Sequence, residues 1–112
     1  MIRTPSHTYL SAEYEVFDGD QRVGYARVEE GTIISLCAQT DLDEAFHGQV
    51  LSELLRAICV DANKATANLS MMVPDEKTMR LQRFLEQFRF RQTHRNIFKR
   101  TAGAAIPPSV IF

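Results

Sequence analysis

The chain has 112 residues, of which 45% are hydrophobic and 24% charged, a size that suits one globular domain with a single core. The formal net charge of -1 argues against a protein that binds nucleic acid or a membrane surface through bulk charge. This average conceals a division, because residues 1–76 carry 5 basic and 13 acidic side chains (net -8), whereas residues 77–112 carry 8 and 1 (net +7). The division predicts either two functional surfaces or one internal electrostatic pairing.

The sequence also argues against membrane, secreted and metal-binding classes. No stretch reaches the roughly 18–20 apolar residues that a membrane-spanning helix needs, and the first residues lack the apolar region of a secretory signal. The two cysteines, Cys37 and Cys59, and the three scattered histidines do not have metal-ligand spacing. We therefore expect a cytoplasmic protein with no metal, no membrane contact and no disulfide scaffold.

Three antiparallel strands are predicted in the first third of the chain. Apolar and polar residues alternate at about 12–18 and 21–29, on either side of the turn signal Asp18-Gly19-Asp20. A second turn leads into Ile33–Ala38, an almost continuously apolar run that is typical of a central strand covered on both faces.

Helical spacing then replaces the alternation. Apolar residues between Val50 and Ala62 predict an amphipathic helix from about 47 to 64, and Leu69–Val73 follows as a short strand. The pair Pro74-Asp75 stops this strand and predicts the N-cap of a second amphipathic helix from about 75 to 88.

The last elements complete a mixed fold. Phe90 begins another strand, with Ile97-Phe98 in its continuation or its hairpin partner. Antiparallel strands that precede helix-linked strands predict an α+β class, with a mixed, mostly antiparallel sheet flanked by two main helices. We expect a single domain over 1–112, with its core at about 12–101 and a C-terminal tail at 102–112.

This order of elements, together with three motifs, resembles the GNAT acetyltransferase superfamily. The apolar strand Ile34–Ala38 leads through a loop into a helix that carries Gly48-Gln49-Val50-Leu51. Further on, Val73-Pro74-Asp75 and Arg83–Phe90 are similar to the closing strand and helix of that family. The resemblance covers about residues 12–101.

The resemblance implies a cofactor site for acetyl-CoA. In the family, the central strand pairs its backbone with the pantetheine arm, which points to Leu36, Cys37 and Ala38 in this chain. The start of the following helix holds the pyrophosphate, which points to Gly48 and Gln49.

Three departures from the family's pattern bear on function. Its phosphate loop reads Arg/Gln-x-x-Gly-x-Gly/Ala, and here Asp43 and Phe46 occupy the first two of these positions while Gly48 keeps the last. The family's Tyr, which protonates the departing thiolate, aligns with Phe84 or Leu85. The two helices that wall the acceptor site in the family have no counterpart between the predicted strands.

Two hypotheses follow, and both stay open. The resemblance implies an acetyl-CoA-dependent N-acyltransferase, which transfers an acetyl group to a small amine or a protein amine by direct attack, with Glu29, Glu30 or a water as base. The departures favour a non-catalytic binding or accessory protein on the same fold. Nucleic-acid contact through the basic residues 77–100 is the least favoured reading, because these charges also suit pairing with the acidic first part. The missing wall and the apolar end Val110–Phe112 leave a homodimer open.

Three further residues have chemistry that catalysis uses, but their spacing favours packing. Cys37, Cys59 and Tyr25 lie at apolar positions, which predicts that they fill the core. Met71-Met72 is interpreted in the same way, as a filler of a core strand. We assign no catalytic residue from the sequence.

Overall fold

The computed structural model describes residues 10–110, which form a six-stranded sheet and two α-helices. In chain order the elements are β1 (Ala12–Asp18), β2 (Gln21–Glu29), β3 (Thr32–Ala38), α1 (Glu44–Ala65), β4 (Leu69–Met72), a 3-10 turn (Asp75–Lys77), α2 (Thr78–Gln87), β5 (Arg91–His94) and β6 (Ile97–Arg100). Neither described helix is long and apolar enough to cross a membrane.

The strands lie in the order β1-β2-β3-β4-β6-β5, and every neighbouring pair is antiparallel except β3 with β4. That pair is parallel because α1 carries the chain back along the sheet between the two strands. Ile97 and Phe98 lie in the hairpin partner of the strand that follows Phe90. The predicted α+β class, with a mostly antiparallel mixed sheet and two helices, is confirmed.

Both helices lie on the same side of the sheet. The Tyr14 hydroxyl of β1 donates a hydrogen bond to Asp61 Oδ2 of α1 at 2.8 Å, which places α1 over the face that Tyr14 occupies. α2 lies beside α1, since the Arg56 guanidinium of α1 is 5.9 Å from the centre of the Phe88 ring at the end of α2. The architecture is therefore two layers, helices on one face of a sheet.

The other side of the sheet is covered by neither described helix, and we call it the open face. Because residues that pair across strands share a face, one residue of each strand serves to define it. In spatial order of the strands these residues are Glu15, Tyr25, Cys37, Met72, Lys99 and Arg91.

Close packing of α1 on β2 requires a residue without a side chain. A Cβ at Gly24 would overlap the Val50 side chain and lie 3.2 Å from Leu54 Cδ1. Val50, Leu54 and Ile58 are fully buried, as the apolar spacing of this helix predicts. Gly24 therefore sets how closely the helix layer approaches the sheet.

Several predictions about burial are wrong. The apolar run in β3 is covered on one face alone, with Ile34 48% exposed and Cys37 exposed. Met72, predicted as a core filler, is 68% exposed, and Tyr25 faces the open side. These errors share one physical cause: with both helices on one face, alternate residues of each strand stay uncovered. Cys59, by contrast, is fully buried as predicted.

The predicted N-cap of the second helix is also wrong. α2 begins at Thr78, after the 3-10 turn, and no side chain caps that turn or the helix. The Asp75 carboxylate instead lies 3.1 Å from Arg95 Nη2 at the turn between β5 and β6. Asp75 is therefore committed to an ion pair between two loops.

The segment after β6 folds back along α1. Arg56 Nη1 donates a hydrogen bond to the Pro107 carbonyl at 2.6 Å, and Val110 packs against the core. Val110, which the sequence offered as part of a dimer contact, is thus used within the chain. Ile111 and Phe112, the rest of that apolar end, lie outside the described residues.

Candidate functional site

β3 and β4 pair over two residue positions and then separate. Thr32 lies opposite Ser70 and Ile33 opposite Met71, and no later pair of described residues joins the two strands, although β3 continues to Ala38. The C-terminal half of β3 therefore has a described strand on the β2 side only.

A β-bulge accompanies this separation. The register between β2 and β3 shifts at Ile34, so that Arg27 lies opposite Ser35 while Val28 lies opposite Ile33. An extra residue bends its strand and re-aims the backbone groups that follow. The opening beside β3 is therefore a property of the strand itself rather than of a surrounding loop.

Leu36 and Ala38 direct their backbone groups into this opening. Gln39 N donates to Val23 O at 2.9 Å, and hydrogen-bonding directions alternate along a strand, so Leu36 and Ala38 face away from β2. Their side chains are half-buried on the helix-covered side. The Cys37 thiol instead lies on the open face. Leu36 and Ala38 thus offer free backbone hydrogen-bonding groups to an extended ligand, and Cys37 does not.

The N-terminus of α1 already holds a carboxylate of its own chain. Asp43 is the N-cap, and its Oδ1 accepts a hydrogen bond from Phe46 N at 2.9 Å. This cap starts the helix at Glu44, three residues before the predicted start. Asp41 and Glu44 add two more exposed acidic groups beside it. A phosphate placed at this helix end would compete with Asp43 for a donor and meet three negative charges, of which Glu44 lies 3.7 Å from Arg80 Nη2.

Gly48 and Gln49, the predicted pyrophosphate residues, line a groove of about 790 Å³ along the outer side of α1. Gly48 is buried in the helix, and Ser52 Oγ donates to its carbonyl at 2.8 Å. Arg56 and Val110 line the other end of the groove. Leu36, Cys37 and Ala38 are not among its lining residues, which are Glu44, Ala45, Gly48, Gln49, Ser52, Glu53, Arg56 and Val110. The structure therefore separates the five predicted residues: Gly48 and Gln49 line the groove, Leu36 and Ala38 form the free β3 edge, and the Cys37 thiol lies on the open face.

The candidate bases lie at the opposite end of β3 from its free edge. Glu29 and Glu30 line a second groove of about 670 Å³ on the open face, together with Arg27 and Ile34. Glu29 Oε1 is 2.5 Å from Arg27 Nη2, so this carboxylate is held in an ion pair.

Tyr25 points away from the opening. Its hydroxyl donates to Glu13 Oε1 on β1 at 3.3 Å, and the Arg22 guanidinium lies 5.0 Å from the centre of its ring. This phenol is therefore held on the far side of β2 from the opening between β3 and β4. It is not placed to protonate a group bound beside Leu36.

Part of the basic C-terminal charge is paired with the acidic first part. Arg80 Nη2 lies 3.7 Å from Glu44 Oε1, and Arg95 Nη2 lies 3.1 Å from Asp75 Oδ2. Both contacts join the two charge blocks of the sequence. They support internal pairing as the interpretation of that division, and they reduce the positive surface left for a nucleic acid.

Arg100 is a buried cation that the sequence did not single out. It is 1% exposed, and its guanidinium donates to Phe88 O at 2.8 Å, Asn63 Oδ1 at 2.9 Å and Ala104 O at 2.5 Å. These acceptors belong to the end of α2, to α1 and to the segment after β6. Arg100 thus joins three parts of the helix layer, and no pattern in a run of basic residues distinguishes it from its exposed neighbour Lys99.

The Cys59 thiol is also enclosed on this side. Burial raises its pKa to about 11, against the opposing influence of Arg100 and Arg56. It therefore stays protonated at neutral pH and is unsuited to act as a nucleophile.

Comparisons with protein-family models, with curated proteins and with solved structures return no match to this chain.

Proposed function

We propose that this chain is a small N-acyltransferase of the GNAT type, which binds acetyl-CoA beside β3 and transfers the acetyl group to an amine. The observation that carries the proposal is the opening between β3 and β4, with the bulge at Ile34. The backbone groups of Leu36 and Ala38 can pair with the amides of a pantetheine arm as a neighbouring strand would. We propose the cytoplasm, which contains acetyl-CoA, as the compartment.

The proposed reaction is a direct transfer. The amine nitrogen forms a bond to the thioester carbonyl carbon, and the C–S bond then breaks with its electron pair leaving on the thiolate. The proton of the new ammonium group passes to water, because Glu29 and Glu30 lie at the opposite end of β3 from its free edge and Glu29 is paired with Arg27. The Tyr25 hydroxyl donates a hydrogen bond to Glu13, so the thiolate leaves without a proton from that phenol. Positioned acid catalysis contributes about 10²–10⁴-fold, so we expect slow turnover.

The acidic helix N-terminus predicts an unusual ligand preference. Because Asp43 and its neighbours disfavour phosphate, most of the affinity is expected to come from the pantetheine arm. Calorimetry with acetyl-CoA and with S-acetylpantetheine, which lacks the nucleotide, measures this directly. We expect the two affinities to lie within about tenfold of each other.

A matched pair of variants tests the location of the phosphates. Asp43→Ser keeps a capping oxygen and removes the charge, so acetyl-CoA should bind about threefold to tenfold more tightly while S-acetylpantetheine binds as before. Asp20→Ser, in the turn between β1 and β2, should change neither affinity. Absence of heat with both ligands at high micromolar concentration would exclude the acyltransferase proposal.

A non-catalytic binding protein on the same fold is the second candidate. The observation that favours it is the hydrogen bond from Phe46 N to the Asp43 carboxylate, which fills the place where the cofactor's phosphate would bind. An acetylation assay with a panel of amines separates the two candidates. CoA-dependent acetylation that Gly48→Glu abolishes would rule out the non-catalytic candidate, and ligand binding without acetylation would favour it.

A further inference from the structure

The open face carries apolar side chains at its centre. Ile34 on β3 is 48% exposed and Met72 on β4 is 68% exposed, and these are the two central strands of the sheet. Ile97 of β6 lies opposite Met72 and is only half-buried. In a two-layer fold such side chains stay in water unless something else packs on them, which makes the face a candidate interface.

The two edges of the same sheet carry opposite charge. The β1–β2 hairpin, residues 12–29, contains five acidic residues and two arginines, a formal net charge of -3. The β5–β6 hairpin, residues 91–100, contains four basic residues and no acidic one. Arg100 is buried on the helix-covered face, which leaves Arg91, Arg95 and Lys99 exposed, and Arg95 pairs with Asp75. On the open face itself, Glu13 and Glu15 lie at one edge, where they pair with Arg27 at 3.8 Å and Arg22 at 3.4 Å, and Arg91 and Lys99 lie toward the other edge.

We propose that two copies of the chain pack open face against open face, about a twofold axis that runs parallel to the strands. This axis places the acidic hairpin of each copy against the basic hairpin of the other, so the complementary contact forms twice. It also brings Ile34 and Met72 of one copy toward the same residues of the second. The interface then has an apolar centre and charged edges, as stable interfaces do.

The orientation follows from the charges. A twofold axis across the strands would superimpose acidic on acidic and basic on basic hairpins, which like-charge repulsion disfavours. The parallel axis also sets the second copy over the groove that contains Glu29 and Ile34. The second copy thus supplies a wall on the side of the sheet that the described helices leave bare. The dimer proposal does not depend on acyl transfer, and its experiments test it separately from the proposed activity.

Sedimentation equilibrium of the full chain over about 1–200 µM tests the association. The wild-type chain should dimerise, and the double variant Ile34→Lys/Met72→Lys should weaken the dimer at least about tenfold. Met79→Lys is the matched control, because Met79 is 88% exposed on α2 and lies on the other side of the molecule. Circular dichroism and a thermal melt check that each variant is folded.

A charge exchange tests the orientation independently of the apolar centre. The double variant Glu13→Lys/Glu15→Lys makes both edges of the open face basic. The double variant Arg91→Glu/Lys99→Glu replaces two basic side chains by acidic ones, so that both edges carry acidic side chains. Each double variant alone should therefore dimerise poorly. An equimolar mixture of the two should form a heterodimer, because opposite charges then meet at both edges. Failure of the mixture to associate would overturn the proposed orientation.

Cys37 is a built-in reporter, because it lies on the open face while Cys59 is buried. Its reaction with a thiol reagent should slow as the protein concentration rises, and the Ile34→Lys/Met72→Lys variant should remove that dependence. A chain that stays monomeric throughout, or a dimer that Met79→Lys disrupts and the open-face variant does not, would refute the proposal. Association only with added vesicles, or with a different protein, would refute it as well.

Discussion

The two faces of the sheet place residues of the same type in opposite surroundings. Tyr14 on the helix-covered face donates to Asp61 of α1, whereas Tyr25 on the open face donates to Glu13 of the adjacent strand. Arg100 is buried with three acceptors, and its neighbour Lys99 is exposed. The period-two geometry of a strand therefore separates residues that hold the fold from residues that are available for contacts outside it.

Four pairs of substitutions test this difference, each with one residue on the helix-covered side and one on the open face. If the two-layer architecture is correct, only the first member of each pair should alter stability by a large amount.

The largest effect is expected for Arg100. Arg100→Met removes three hydrogen bonds and leaves buried acceptors on Phe88, Asn63 and Ala104, so the free energy of unfolding should fall by about 3–4 kcal/mol. Lys99→Met, on the opposite face, should leave the urea midpoint of the monomer nearly unchanged. Similar losses for both variants would contradict the burial of Arg100.

The next effect concerns the approach of α1 to β2. Gly24→Ala forces a Cβ against Val50, whose branched side chain has little rotamer freedom, and should cost about 2–3 kcal/mol. Ser35→Ala, on the open side of β3, should change the unfolding free energy little. Urea denaturation of both variants measures the difference, and a neutral Gly24→Ala would mean that the layers are further apart than described.

Alkaline pH should distinguish the two cysteines. The Cys59 thiol has an ordinary pKa of 9.0 when exposed and about 11 when folded, so between these values the unfolded chain loses a proton that the folded chain keeps. Stability should therefore fall by about 2 kcal/mol as pH rises from 9 to 11. Cys59→Ala should flatten this slope, and Cys37→Ala should retain it. A slope that is the same in all three chains would exclude Cys59 as its source.

The smallest effect is expected for the tyrosines. Burial, followed by the hydrogen bond to Asp61, raises the pKa of Tyr14, and Tyr14→Phe should cost about 1 kcal/mol through loss of that bond. Tyr25→Phe removes only a long contact at the surface and should leave thermal stability unchanged. A loss as large for Tyr25→Phe, measured where the chain is monomeric, would contradict the exposure of that hydroxyl.

Local elements were predictable because their signals lie within a few residues. The Asp18-Gly19-Asp20 turn between alternating segments located β1 and β2 at their observed limits, and the apolar spacing from Val50 located α1. The start of α1 was predicted three residues late because Asp43 caps it, and a capping carboxylate in an acidic loop has no distinctive pattern. The failed N-cap at Asp75 has a related reason, since Arg95, distant in sequence, binds that carboxylate.

The site was predictable in part. The sequence predicts Leu36 and Ala38 as site residues because they lie in the central strand. Their free backbone edge, however, depends on the bulge at Ile34, which no local sequence pattern predicts. Gly48 and Gln49 do share a groove, but the groove runs along α1 and does not include the β3 residues. Cofactor, partner and catalysis remain predictions that the binding and association experiments decide.

The sequence by itself determined the type and order of the elements as far as α2, because turn residues and apolar periodicity act over short distances. It left open whether the residues after Phe90 form one strand or a hairpin. It also determined the division of charge between residues 1–76 and 77–112. Only the tertiary structure decided that both helices cover one face. An apolar run in the sequence predicts a strand equally well whether the helices bury one face of that strand or both. That choice buried Arg100, exposed Met72 and left Cys37 on the open face, because each depends on which side of a strand the helix layer occupies.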